Sequence, residues 1–147
     1  MKRVKYDDAM QETTEDDRLV DALGLAAFRT MGALTDLAAD AGLSLTQLRV
    51  LAILRDRRLR IGDLADHLGL EKSTMTGLVA RASAKGLLAR EPNAADARAV
   101  DVVLTDAGHE VARALETAMR RALLPLTSRL PEVDRRELRV LLERMLR

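Results

Sequence analysis

Between Lys72 and Arg98 the chain gathers side chains suited to gripping a polyanion that has readable edges. Lys72, Ser73, Thr74, Thr76, Gly77 and Arg81 lie close together, and Arg90, Asp96 and Arg98 follow. Cationic groups neutralise phosphates, small hydroxyls donate or accept at a base edge, and the free amides of a helix N-terminus attract a phosphate. At helical spacing Ser73, Thr76, Gly77, Ala80, Arg81 and Ala84 share one face, opposite Met75, Leu78, Val79 and Ala82, with Lys72 and Thr74 in the first turn. An ordinary solvated helix face has the same chemistry, so the surrounding chain has to decide between the two.

Other chemistries are poorly served. The chain has no cysteine, which excludes disulfides, thiolate nucleophiles and Cys-based zinc sites. His67 and His109 are far apart without ligand-like spacing, and neither a phosphate-binding loop, a nucleophile elbow nor a His-Glu-x-x-His motif occurs. Carboxylates interleave with arginines as surface charge does. No enzyme activity, metal or cofactor is expected.

With 24 basic and 23 acidic residues the net charge is +1, which favours no partner. Its distribution is uneven: residues 1–21 hold four basic and seven acidic side chains, net -3, whereas residues 55–98 hold nine and six, net +3. Tyr6 and Phe28 are the only aromatics, so stacking on single-stranded nucleic acid is a poor fit.

The elements that would carry these residues follow from periodicity. Met1 to about Thr14 is polar and aperiodic, and we read it as a flexible arm. From Asp16 apolar residues recur at three- and four-residue steps until Gly42. Ser44-Leu45-Thr46-Gln47 has the form of a capping box and opens a second helix reaching about Arg57. Ile61, Leu64, Ala65 and Leu68 mark a short third helix broken by Gly69-Leu70, and a fourth runs from Lys72 toward Gly86. Two short helices joined by a glycine-containing turn have helix-turn-helix organisation. The extended run Leu87–Arg90, a polar loop Glu91–Arg98 and the β-branched run Val100–Leu104 predict a two-stranded hairpin. Thr105 caps a long fifth helix, and Pro131 marks the start of a sixth. The fold class expected is mainly α with a small β-hairpin wing between the fourth and fifth of six helices.

The run Leu64-Ala65-x-x-Leu68-Gly69-Leu70-x-x-Ser73-Thr74-Met75-Thr76-x-Leu78-Val79, with Lys85-Gly86-Leu87-Leu88-x-Arg90, Asp96-x-Arg98 and Leu104-Thr105-x-x-Gly108, resembles the MarR family of winged helix-turn-helix regulators. The likeness covers residues 19 to 146 in order. It implies a homodimer joined through the first, fifth and sixth helices, a recognition helix in each major groove of double-stranded DNA, and a wing reaching toward the minor groove. On that pattern, 15–42 and 106–147 form the dimerisation region and 43–105 the DNA-binding lobe. Asp96 would orient Arg98 on the backbone or minor groove; the bland alternative is a surface ion pair that steadies the hairpin. Gly77 departs from many relatives, which carry a long base-reading side chain there, so reading would rest on Ser73, Thr74, Thr76 and Arg81.

Many relatives release DNA when a small, often aromatic or phenolic, molecule binds between the lobes, which points to Phe28, Met31, Leu34, Leu48 and Val111 here. Plain core packing explains the same residues. Arg55, Arg57, Arg58 and Arg60, between the second and third helices, suit flanking phosphates, acidic groups of a partner subunit or a solvated turn. The rival reading of a different class is a helical dimeric ligand-binding or protein-interaction module that does not bind DNA. No apolar run approaches the roughly 20 residues of a membrane span, and the N-terminus lacks a signal-peptide core, so no membrane partner and a cytoplasmic location are expected.

Overall fold

A computed structural model describes residues 13–96 and 98–147; of the expected N-terminal arm, residues 1–12 lie outside the described residues. Six helices and a small antiparallel sheet follow in the order α1 (Glu15–Asp40), α2 (Leu45–Leu54), β1 (Leu59–Arg60), α3 (Ile61–Leu68), α4 (Lys72–Ala84), β2 (Leu88–Pro92), β3 (Val100–Leu104), α5 (Asp106–Thr127) and α6 (Glu132–Met145). The chain divides into two compact units, one ending at Gly32 and the other spanning Ala33–Arg147.

In the first unit the helix is started by Thr14, whose hydroxyl accepts the Asp17 amide at 3.1 Å while its own amide donates to the Asp17 carboxylate at 2.9 Å. The Thr14 hydroxyl also donates to the Asp17 carboxylate at 2.7 Å, and that bond, then the one from the Thr14 amide, holds the Asp17 carboxyl below its ordinary range. Glu15, Asp16 and Asp17 place negative charge at the positive end of the helix dipole. Beyond the first turn the helix carries large apolar side chains in the open: Leu19, Val20, Leu25, Phe28 and Met31 are each at least half exposed.

The second unit holds the core. Leu51 and Leu54 of α2, Leu64 of α3, Met75 and Val79 of α4 and Val102 of β3 are its largest fully buried side chains. The Ser44–Gln47 capping box is present in both directions, at 3.1 and 3.0 Å. α2 stops at Leu54, three residues before the expected end, because the chain from Leu59 leaves the helix to pair with β3. At Gly69 the backbone turns left-handed (φ 63°), and Leu70 donates to the Ala65 carbonyl at 3.0 Å, so the turn closes the carbonyl end of α3 before α4 begins. Gly69 is thus required by backbone conformation rather than by space.

The sheet corrects the sequence reading. It has three strands, ordered β1-β3-β2, instead of two. β1 pairs Leu59 with Val102 and Arg60 with Asp101. β2 continues through Glu91 and Pro92, beyond the expected strand end at Arg90, and ends opposite Val100. Pro92 is tolerated because it ends an outer strand. At the sheet's far end Thr105 caps α5, accepting the Gly108 amide at 3.0 Å, while its hydroxyl donates to the Gly86 carbonyl at 2.6 Å. A Cβ added to Gly108 would lie 2.1 Å from the Leu87 carbonyl oxygen, so the start of α5 sits against the α4–β2 turn only because residue 108 has no side chain.

α5 keeps its buried residues in its first half, at Gly108, Ala112 and Leu115, and α6 buries none. No single helix among the described residues is long and apolar enough to cross a membrane.

Candidate nucleic-acid interface

Helix α4 separates its two faces as the spacing predicts. Met75, Leu78, Val79 and Ala82 are buried, whereas Lys72, Ser73, Thr74, Thr76, Ala80, Arg81 and Ala84 are exposed. Its N-cap, Glu71, makes no side-chain bond to the first-turn amides, which leaves those donors available to an anion. Gly77 is half-buried, and the space a Cβ would occupy there is met by Arg81 Nη1 at 3.4 Å. The arginine therefore lies back over the glycine, one turn toward the helix N-terminus. Thr76 donates its hydroxyl proton to the Lys72 carbonyl at 2.8 Å. What it offers outward is a methyl group and oxygen lone pairs.

Charge on this surface is uncompensated. Lys72, Arg81, Arg90 and Arg98 are exposed and enter no ion pair among the described residues. Arg90 stands on β2 opposite Val102, and Arg98 in the loop that joins β2 to β3.

Asp96 does something other than expected. Its carboxylate accepts the backbone amide of Arg98 at 3.0 Å and meets the Arg60 guanidinium at 3.5 Å. It fixes the loop around Arg98 rather than pairing with the Arg98 side chain. Asn93 completes the loop: its side-chain amide donates to both oxygens of Asp101 at 2.9 and 3.1 Å, and its carbonyl oxygen accepts the amides of Ala95 and Asp96. Asp101 is only 5% exposed, so these bonds and Arg58, at 3.7 Å, are what offset its desolvation.

Sequence reasoning missed Asn93, Asp101 and Glu116 and left the Arg55–Arg60 cluster open. Arg55 of α2 pairs with Glu116 of α5 at 2.9 Å and with Asp56 at 2.8 Å; Arg58 and Arg60 turn to the wing. Bonding to Asp56, and the charges of Asp56 and Glu116, push the Arg55 guanidinium further up, and Arg55 holds Asp56 below its ordinary range. The available signal was charge complementarity between a basic run and Glu91, Asp96 and Asp101, but only strand β1 brings the two together.

The residues considered for an effector separate. Phe28 and Met31 belong to the first unit, 73% and 51% exposed. Leu34 is half-buried in the second unit, Leu48 is in the core and Val111 packs against it. Leu48 also lines, with Leu51, Ala112, Leu115 and Met119, a cavity of about 30 Å³, room for a water molecule and not for an aromatic ring. Among the described residues no group of three or more His, Asp or Glu could hold a metal ion.

A buried helix-turn-helix followed by a pinned β-hairpin with unpaired cations on both defines the class: a winged helix-turn-helix protein. Residues 41–99 match the model of the MarR family. Solved structures agree over most of the length. CouR from Rhodococcus jostii, bound to p-coumaroyl-CoA, superposes with a TM-score of 0.77 at 19% identity, covering 91% of this chain and 95% of that one. Bordetella bronchiseptica BpsR, whose DNA binding is regulated by 6-hydroxynicotinic acid, gives 0.72 at 24%, covering 91% and 96%. A variant of Staphylococcus aureus MepR bound to an oligodeoxyribonucleotide gives 0.61 at 20%, covering 87% and 95%. At these identities the likeness is one of fold. No curated protein matches by sequence.

Proposed function

We propose that the protein is a sequence-specific, double-stranded DNA-binding transcriptional regulator that binds an inverted repeat as a homodimer. The observation that carries the proposal is a contrast in charge pairing: Arg55, Arg58 and Arg60 are met by carboxylates, while Lys72, Arg81, Arg90 and Arg98 enter no ion pair among the described residues and lie on the elements that expose the hydroxyls of Ser73, Thr74 and Thr76 or follow them. Helix α4 with those groups suits a major groove, and the Arg98 loop suits the backbone or minor groove. Repression by occupancy needs nothing beyond tight binding, so it is the mode we assign. The dimer is supported by exposed apolar side chains of α6, above all Val133, Leu141 and Met145.

An effector belongs to the same proposal. CouR and BpsR support aromatic acids or their thioesters as the class to test first, with Phe28, Met31, Leu34, Leu48 and Val111 as residues to substitute. Since the cavity at Leu48 is water-sized, binding there requires the apolar side chains to part.

The test is titration of wild type, Arg98→Ala and Thr76→Ala against the operator, single-base operator variants and random duplex at two salt concentrations. Arg98→Ala should weaken every duplex by a similar factor and lower the salt slope by about one unit per subunit. Thr76→Ala should cost on the order of 1 kcal/mol and act unevenly, relaxing discrimination at one base pair of each half-site. If wild type shifts no duplex at low salt, the proposal fails in favour of a dimeric interaction module.

A further inference from the structure

Arg58 and Arg60 flank Leu59, the residue by which β1 joins the sheet, and both turn toward the wing. Arg58 Nη2 donates to Glu91 of β2 at 2.6 Å, and its Nε lies 3.7 Å from Asp101 of β3. Arg60 Nη2 reaches Asp96, in the loop between those strands, at 3.5 Å. Two of the three carboxylates they meet, Asp101 and Asp96, have a further task. Asp101 holds Asn93, Asn93 holds the amides of Ala95 and Asp96, and Asp96 holds the amide of Arg98. A continuous series of ion pairs and hydrogen bonds thus leads from the turn after α2 to the backbone of Arg98, charge-assisted at Asp101 and Asp96.

We propose that Arg58 and Arg60 are positioning residues that clasp the wing and set the direction in which Arg98 is presented, without themselves touching DNA. A guanidinium fork suits the task at Arg58, because one side chain can reach acceptors on two strands. Neutralised by carboxylates, the pair has little charge left for phosphate. The clasp lies where a two-residue strand would otherwise be held by its few backbone bonds alone. The part of the proposal that concerns DNA rests on the function proposed above; the part that concerns the loop does not.

Two measurements on the full chain decide it. In a double-mutant cycle on one duplex, Arg60→Ala should weaken binding roughly threefold to fivefold, the scale of one exposed charge pair. In an Arg98→Ala background the same substitution should cost nothing further, because the residue acts through Arg98. An additive loss, with the salt slope falling by a further unit per subunit, would show direct phosphate contact and overturn the clasp.

The second measurement is amide hydrogen exchange of the free protein. Exchange at Arg98 should accelerate in Arg60→Ala and in Arg58→Lys, while Leu64 and Leu68 in α3 keep their protection. Unchanged exchange at Arg98 in both variants overturns the proposal. Arg58→Lys is used because Arg58→Ala would leave the buried Asp101 carboxylate without a cation. Should wild type bind no duplex, the regulator reading falls and the exchange result still decides the clasp.

Discussion

The winged lobe and helix α6 hold similar apolar side chains and treat them in opposite ways. In the lobe Leu64, Met75, Val79 and Val102 are completely buried. In α6, Val133 is 72% exposed, Leu141 49% and Met145 55%, and no residue is buried. The difference lies in what surrounds each helix. α3 and α4 are short, joined by a three-residue turn, and covered by α2 and the sheet within the same stretch of chain. α6 is amphipathic with its apolar side uncovered, a pattern that costs solubility unless a second surface meets it. The lobe should therefore fold by itself, whereas α6 lacks a covering surface, which the proposed homodimer would supply.

The sharpest test of that contrast places charge on the open face. Leu141→Glu together with Met145→Glu should leave a folded protein at half the wild-type mass in micromolar sedimentation, because four carboxylates would have to be desolvated in a two-fold interface. A double variant that still sediments at twice the chain mass would move the interface elsewhere. The matching change in the lobe should behave differently. Leu64→Ala removes a fully buried side chain and should cost about 2–5 kcal/mol, read as a lower denaturation midpoint in monomer and dimer alike.

Gly108→Ala probes the seam where α5 leaves the lobe. Its Cβ would meet a backbone carbonyl, which cannot swing aside as a side chain can, so the start of α5 or the α4–β2 turn must shift. We expect a loss of about 1–3 kcal/mol in thermal or denaturant unfolding. Loss below the resolution of the measurement would mean that the approach of α5 to Leu87 is looser than the structure has it.

How much was legible follows the same division. Helices α1 to α6 could be read because each carries local signals: the Ser44–Gln47 box, the glycines after α1, α3 and α4, and Thr105 before α5. The solvent-facing side of α4 followed from periodicity alone. Strand β1 could not, since two residues have no period and Leu59 and Arg60 become a strand only by pairing with residues more than 40 positions away. For the same reason the role of Arg58 and Arg60 stayed open in the sequence, and the bond of Asp96 to the Arg98 backbone, with Arg60 as its second partner, could not be read from the Asp-x-Arg spacing. Gly108 was visible as part of a motif, but its reason, the carbonyl of Leu87, is a tertiary contact. Residues for an effector were least legible, because a core leucine such as Leu48 and a ligand-lining one have the same sequence signature.

The smallest expected effect concerns the border between the closed core and the open half of α5. Leu115 is the last buried residue of that helix, and Glu116 beside it joins Arg55 of α2 at 2.9 Å and Arg120 at 2.6 Å. The bond from Arg120, then the charge of Arg55, holds the Glu116 carboxyl below the usual glutamate range. A carboxyl lowered on folding stabilises the folded state above its unfolded pKa, and that contribution disappears as pH falls through the folded value. Glu116→Gln should therefore lower the thermal midpoint slightly at neutral pH, and the gap to wild type should close as pH drops below the ordinary glutamate range. Both partners are about one-third exposed, 38% and 30%, so water screens the pair and the effect at neutral pH stays small. A gap that is independent of pH would mean that Glu116 acts through packing of its methylenes against the α2–α5 seam, and the ion pair would then mark the border without holding it.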